Sequence, residues 1–171
     1  VMEFRLNANL RAMRFFDYTA DQQYFEPFVK FAPGEVFVDG GGFDGYTTAE
    51  FIKHCPQFGG VHFFEPTEKT LNTAKEKLAT HRNIEFHPVG LFNEKQTLSF
   101  DASAGSACRI SETGSVKIDV DSLDNRVTES VSFIKLDLEG AEPKALEGMK
   151  WHIQEDHPKL AVAVYHDPAH F

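Results

Sequence analysis

At 171 residues the chain has the length of a single domain, enough to bury roughly 70% of its unfolded surface around one core without staples. Seventeen basic against 26 acidic residues give a formal charge of −9, which argues against nucleic acid as a partner, and no apolar run approaches the roughly 20 residues of a membrane span. The two cysteines, Cys55 and Cys108, have no metal-ligand spacing or disulfide framework, and with no signal segment visible the composition predicts a soluble, cytoplasmic protein.

Residues 11–31 carry aromatics at helical spacing with Asp21 as a cap, and Pro33-Gly34 ends the pattern, which predicts an N-terminal helical cover over residues 1–35. Phe15, Phe16, Phe25, Phe28 and Phe31 in this segment read first as core packing, with a substrate lid or an oligomer surface as the alternative. From Val36 onward strands and helices alternate: a strand over 36–39, a helix over 47–54, a strand over 61–65, a helix over 68–81 and a strand over 84–88. Such alternation predicts a parallel sheet with crossover helices. Two β-like runs, 97–100 and 115–120, flank the small, polar stretch 101–114 and read as an inserted hairpin or edge pair. The run 121–124 caps a short helix, 131–139 reads as a strand, 143–155 as a helix and 160–165 as a final strand.

The first strand ends in Asp39 and enters the turn Gly40-Gly41-Gly42-Phe43-Asp44-Gly45. A buried strand followed by a loop nearly without side chains suits a nucleotide-like cofactor lying on the backbone. The turn literally satisfies G-x-G-x-x-G, so an NAD(P)-dependent oxidoreductase is one reading. The other aligns Asp39, Gly41 and Gly45 as D-x-G-x-x-x-G, where a carboxylate that would oppose pyrophosphate instead favours the ammonium and sulfonium of S-adenosylmethionine. The second strand ends in Glu65-Pro66, where an acidic side chain can accept both hydrogen bonds of a ribose diol. Glu65 serves either cofactor equally well, or simply the start of the following helix. Asp44 reads equally as a turn residue and as a ligand.

Lys135, Asp137 and Glu139 alternate with Ile134, Leu136 and Leu138, which puts three charges on one face of a strand. Asp137 and Glu139 fall at its carboxyl end, where ligands bind in parallel α/β sheets, unless Lys135 merely pairs with a carboxylate to support the strand. His166 follows the last strand and can act as a base beside Asp137. Asp137, Glu139 and His166 are therefore the candidate catalytic residues. No compact ligand spacing supports a metal here and none is expected. The other histidines, including His62 and His87, are scattered along the chain and read as satisfied or solvent-facing.

The runs 36–45, 63–66, 133–142 and 163–165 together resemble the FkbM-type family of S-adenosylmethionine-dependent methyltransferases, with Ile134-Lys135-Leu136-Asp137-Leu138-Glu139-Gly140-Ala141-Glu142 as the most specific element. The resemblance implies an α/β, Rossmann-like class I methyltransferase fold, a mostly parallel sheet with helices on both faces, in a cofactor-binding domain over 36–171. It implies methylation of a hydroxyl on a small-molecule or glycan acceptor such as a sugar or natural product. The cofactor, S-adenosyl-L-methionine, would meet Asp39, Gly41, Gly42, Phe43 and Gly45 at its methionine end, Glu65 and Pro66 at its ribose, Val89, Gly90 and Leu91 at its adenine, and Asp137. A catalytically silent cofactor-binding domain is a further alternative. Gly40 departs from the apolar residue usual at its place, and the chain stops at Phe171, short of the β-hairpin that normally follows the fifth strand, so the hairpin is expected to lie outside this sequence. Ser103 to Ser106 could edge the acceptor mouth, although a surface loop is the plainer reading. The sequence is compatible with a homo-oligomer and does not identify the acceptor.

Overall fold

The computed structural model describes residues 22–101, 109–110 and 116–166. Much of the proposed N-terminal cover, with Phe15, Phe16 and Asp21, lies outside the described residues, as do Ser103 to Ser106 and Cys108. Five strands form one sheet: β1 (Val36–Gly40), β2 (Gly60–Phe64), β3 (Ile84–His87), β8 (Phe133–Leu136) and β9 (Lys159–Val162), in the order β3-β2-β1-β8-β9. Every pairing in it is parallel. A second sheet holds β4 (Gly90–Leu91), β5 (Gln96–Asp101), β6 (Arg109–Ile110) and β7 (Val116–Asp121) in the order β4-β7-β5-β6. Its β5–β7 and β5–β6 pairs are antiparallel, as the hairpin reading of the two β-like runs anticipates.

The alternation of side chains along each central strand builds two cores, one on each face. Phe37, Phe63 and Phe133 point to one face and meet α1 (Tyr46–His54) and α2 (Glu68–Lys77) through Phe51, Leu71 and Ala74. Their neighbours Val38, Phe64 and Ile134 point to the other face and meet α3 (Leu123–Arg126), α4 (Glu142–Glu147) and α5 (Lys150–Glu155) through Leu123, Ala145 and Ile153. Phenylalanine dominates the first core, where the Phe37 and Phe133 rings stack at 5.0 Å and Phe37 lies 4.4 Å from Phe51. Phe25 and Phe31 join this core, while Phe28 is 79% exposed.

Three expectations change. Residues 22–35 form turns rather than an α-helix, because Pro27 interrupts the aromatic run and has no N–H to continue a helical ladder. The strand expected over 131–139 is confined to Phe133–Leu136, since Glu139 adopts φ +54 and turns the chain immediately after the sheet. The helix expected over 143–155 is two helices. They part at Gly148, where a Cβ would stand 2.0 Å from the Phe92 carbonyl oxygen, so this backbone runs directly against the chain after β4.

Candidate functional site

Strand order reverses at β1, whose neighbours β2 and β8 lead away in opposite directions, and ligands in such sheets sit beyond the strand ends at this point. The register puts Gly40 level with Phe64 on one side and Leu136 on the other. The chain therefore leaves all three strands at one height, and a cleft of about 490 Å³ opens there, within the range of small-ligand sites. Gly41, Gly42, Phe43, Glu65 and Pro66 are among the residues that line it, as are Gly90, Leu91, Lys135, Asp137 and Glu139. Gly41 is the tightest point, since with φ +70 a Cβ would stand 2.1 Å from the Asp137 carbonyl oxygen. Only glycine lets the loop cross the end of β8 so closely.

Four candidate residues stand behind this surface rather than on it. Asp39 is fully buried; its carboxylate accepts from the Thr48 hydroxyl at 2.7 Å and from Lys135 Nζ at 3.1 Å. Its charge is thus met by Lys135 instead of by a ligand, and it acts by holding Lys135. Gly45 begins α1 in the left-handed conformation, and its N–H donates to Gly42 O at 2.9 Å. Val89 is a core residue. His166 joins Asp137 and Glu139 from outside the cleft lining.

The pairing of Lys135 corrects the expected face of three charges. Lys135 alone lies on β8, and its remaining protons go to the Gly40 and Gly41 carbonyl oxygens at 3.1 and 2.8 Å. The ammonium has three donors and three protein acceptors, so it braces the glycine loop. That loop, in turn, spends its amides internally. The Gly41 and Gly42 N–H groups both donate to Phe64 O at 3.1 Å, and Phe43 N–H donates to Glu65 Oε2 at 3.2 Å. A pyrophosphate needs free N–H groups at this turn, and here those of Gly41, Gly42, Phe43 and Gly45 are engaged within the protein.

Glu65 is held in place by Phe43 N–H and by Thr67 N–H at 2.8 Å. Thr67 is the N-cap residue of α2, so the helix-start reading and the ligand reading of Glu65 coexist. A carboxylate has about four lone-pair sites, and the two amides leave acceptor capacity toward the cleft.

Asp137 collects groups from both ends of the described chain. Tyr24 Oη donates to its Oδ2 at 2.6 Å, and Tyr165 Oη lies 3.0 and 3.1 Å from its two oxygens. Burial, together with the hydrogen bond and charge of Asp137, drives the Tyr24 phenol far above its ordinary value. Burial and Asp137 raise Tyr165 likewise, so both phenols stay neutral donors. His166 Nε2 stands 3.2 Å from Asp137 Oδ1 and 3.2 Å from Glu139 Oε2, with Nδ1 3.0 Å from Glu142 Oε1. The three candidate catalytic residues thus converge, with ligand atoms within 4.8 Å of one another, a set that can move a proton or hold a cation. Glu142 entered the sequence reading only as the last residue of the run from Ile134, with no role, whereas Tyr24 and the lining residues Ile118 and Val120 of β7 were absent from it. No local pattern announces them, because each arrives from another part of the chain.

A parallel sheet with helices on both faces and a cofactor-sized cleft at the reversal of strand order define an α/β protein of the class I methyltransferase type. The chain matches the methyltransferase FkbM domain over residues 39–171. It belongs to that family of S-adenosylmethionine-dependent methyltransferases. The crystal structure of methyltransferase FkbM from Methylobacillus flagellatus KT superposes with a TM-score of 0.78 at 25% identity, covering 96% of this chain. The match spans 42% of that protein's length. An rRNA methylase from Streptococcus thermophilus shares the fold at 18% identity and a TM-score of 0.53, over 84% of this chain and 67% of its own. No curated protein matches the chain in sequence. No helix among the described residues is long and apolar enough to cross a membrane.

Proposed function

We propose that residues 36–171 form an S-adenosylmethionine-binding domain that transfers a methyl group to a hydroxyl of a sugar or natural-product acceptor. The observation that carries this reading is the cleft's chemistry: Glu65, Asp137 and Glu139 edge it, while the glycine-loop amides and the Lys135 ammonium are committed elsewhere. Such a cleft suits a cationic nucleoside better than a dinucleotide bearing two phosphates. Glu65 would hold the ribose diol, Gly90, Leu91, Ile118 and Val120 would wall the adenine, and Gly41, Gly42 and Phe43 would line the methionine end.

When bound, the cofactor supplies a methyl group made electrophilic by its sulfonium. The protein then has two tasks: aligning the acceptor, which can account for much of the acceleration, and taking the hydroxyl proton. Asp137 and Glu139 face the cleft and can accept that proton. His166, within 3.2 Å of both, can take it on from either, with its other ring nitrogen 3.0 Å from Glu142. Tyr24 and Tyr165 fix the Asp137 carboxylate in one orientation.

Titration calorimetry of the full-length protein with S-adenosylhomocysteine and with NAD tests the cofactor, and tighter binding of NAD overturns the reading. Radiolabelled methyl transfer to a panel of sugars and natural-product alcohols tests the reaction. Cofactor binding with no incorporation into any of them identifies the domain as a catalytically silent scaffold.

A further inference from the structure

We propose that His62, Glu85 and His87 form a binding site for a divalent transition-metal ion of the zinc type at the β3 edge of the main sheet, outside the methyltransferase cleft. Parallel pairing sets His62 level with Glu85 and Phe64 level with His87. With a side-chain period of two, all three residues then rise from the same face. None of them lines the cleft.

The distances match a coordination polyhedron. His62 Nδ1 and His87 Nε2 face each other at 3.1 Å, and zinc–nitrogen bonds of 2.0–2.1 Å in a tetrahedron place two ligand nitrogens about 3.3 Å apart. Glu85 completes the triangle, with Oε2 3.7 Å from His62 Nδ1 and Oε1 3.8 Å from His87 Nε2. One ligand atom from each of the three residues lies within 4.8 Å of the others, and the Glu85 side chain, 66% exposed, has room to turn a single oxygen toward both nitrogens. Two imidazoles and one carboxylate are a donor set suited to zinc, with a fourth position left for water.

The surroundings orient these ligands. His62 Nε2 lies 2.8 Å from Glu129 Oε1; because a carboxylate accepts, this nitrogen is the donor, which leaves Nδ1, on the His87 side, as the nitrogen that would bind the ion. A histidine bound to metal through one nitrogen and to a carboxylate through the other is the common outer arrangement of such sites. The Phe64 ring stacks on His87 at 4.2 Å and fixes its plane. Glu85 and Glu129 together balance a 2+ charge. Arg126, whose positive charge is felt at His87, is paired with Asp121 at 2.7 Å. An ion here would tie β2 to β3 and, through Glu129, to the segment before β8.

The competing arrangement is a histidine pair linked only by hydrogen bonds, and metal binding separates the two. The full chain, stripped with a chelator and titrated with Zn²⁺ by calorimetry, is expected to take up one equivalent that Glu85→Gln and His87→Gln each weaken at least tenfold. Glu129→Gln is expected to weaken it by about 10- to 100-fold, and Co²⁺ at the site should give the intense visible absorption of four-coordinate cobalt. Glu85 is exposed, so Glu85→Gln keeps the test valid even where His87→Gln unfolds, and thermal melts of the stripped proteins report folding. Uptake unchanged in Glu85→Gln, or abolished only by His166→Gln at the cleft, overturns the proposal.

Discussion

Asp39 and Lys135 form an ion pair beneath the glycine loop. Both are almost completely buried, and a buried pair of this kind costs most when one partner is removed and the other is left charged. Lys135→Met is expected to destabilise the protein by about 3–5 kcal/mol. Adding Asp39→Asn should recover part of that loss, as denaturant melts of the single and double variants would reveal. On the cleft itself, Glu65→Ala is expected to weaken S-adenosylhomocysteine binding by roughly 1–3 kcal/mol, the range for hydrogen bonds to a charged group; calorimetry that finds unchanged affinity removes Glu65 from the site. Asp137→Asn keeps the shape but not the proton-accepting charge, and is expected to lower kcat for methyl transfer by about 10²- to 10⁴-fold, measured with the best acceptor from the panel.

Among the elements, the lower end of the sheet is fastened by Glu35. Its carboxylate takes Lys159 Nζ at 2.6 Å from β9, the Ala32 N–H at 3.0 Å and the Ser132 hydroxyl from the turn before β8. Burial alone would raise this carboxyl, yet the ammonium, hydroxyl and amide hold it below its ordinary 4.5. The unfolded chain therefore binds the proton more readily than the folded one. The stability from this clasp is present above pH 4.5 and is lost as pH falls through the folded value. Thermal melts between pH 3 and 7 should show Glu35→Gln with a shallower acid-side decline than the unaltered protein, and parallel declines would show that the clasp contributes nothing.

At the scale of the molecule, the cleft joins parts that have little else in common: the loop after β1, the ends of β2 and β8, the second sheet through Ile118 and Val120, and Tyr24 from the segment before β1. A ligand bridging them stabilises the folded state by mass action. S-adenosylhomocysteine at a hundredfold excess over its Kd is expected to add about 2.7 kcal/mol, visible as a rise in Tm. NAD at the same concentration should leave Tm unchanged.

What the sequence determined by itself is local. Val36 to Asp39 followed by glycines, Glu65 at the next strand end, and the run from Ile134 to Glu142 marked the fold, the cofactor class and most of the cleft floor, because apolar periodicity and turn chemistry are written in consecutive residues. Tertiary structure alone decided which charges meet. Lys135 was expected on one strand face with Asp137 and Glu139, yet parallel pairing sets it level with Asp39, and its ammonium pairs with that buried carboxylate. Likewise His62 and His87, unremarkable 25 residues apart, become neighbours only through the register of β2 and β3. Tyr24 reaches Asp137 across 113 residues, because buried charges are satisfied by whatever the fold brings within hydrogen-bonding distance.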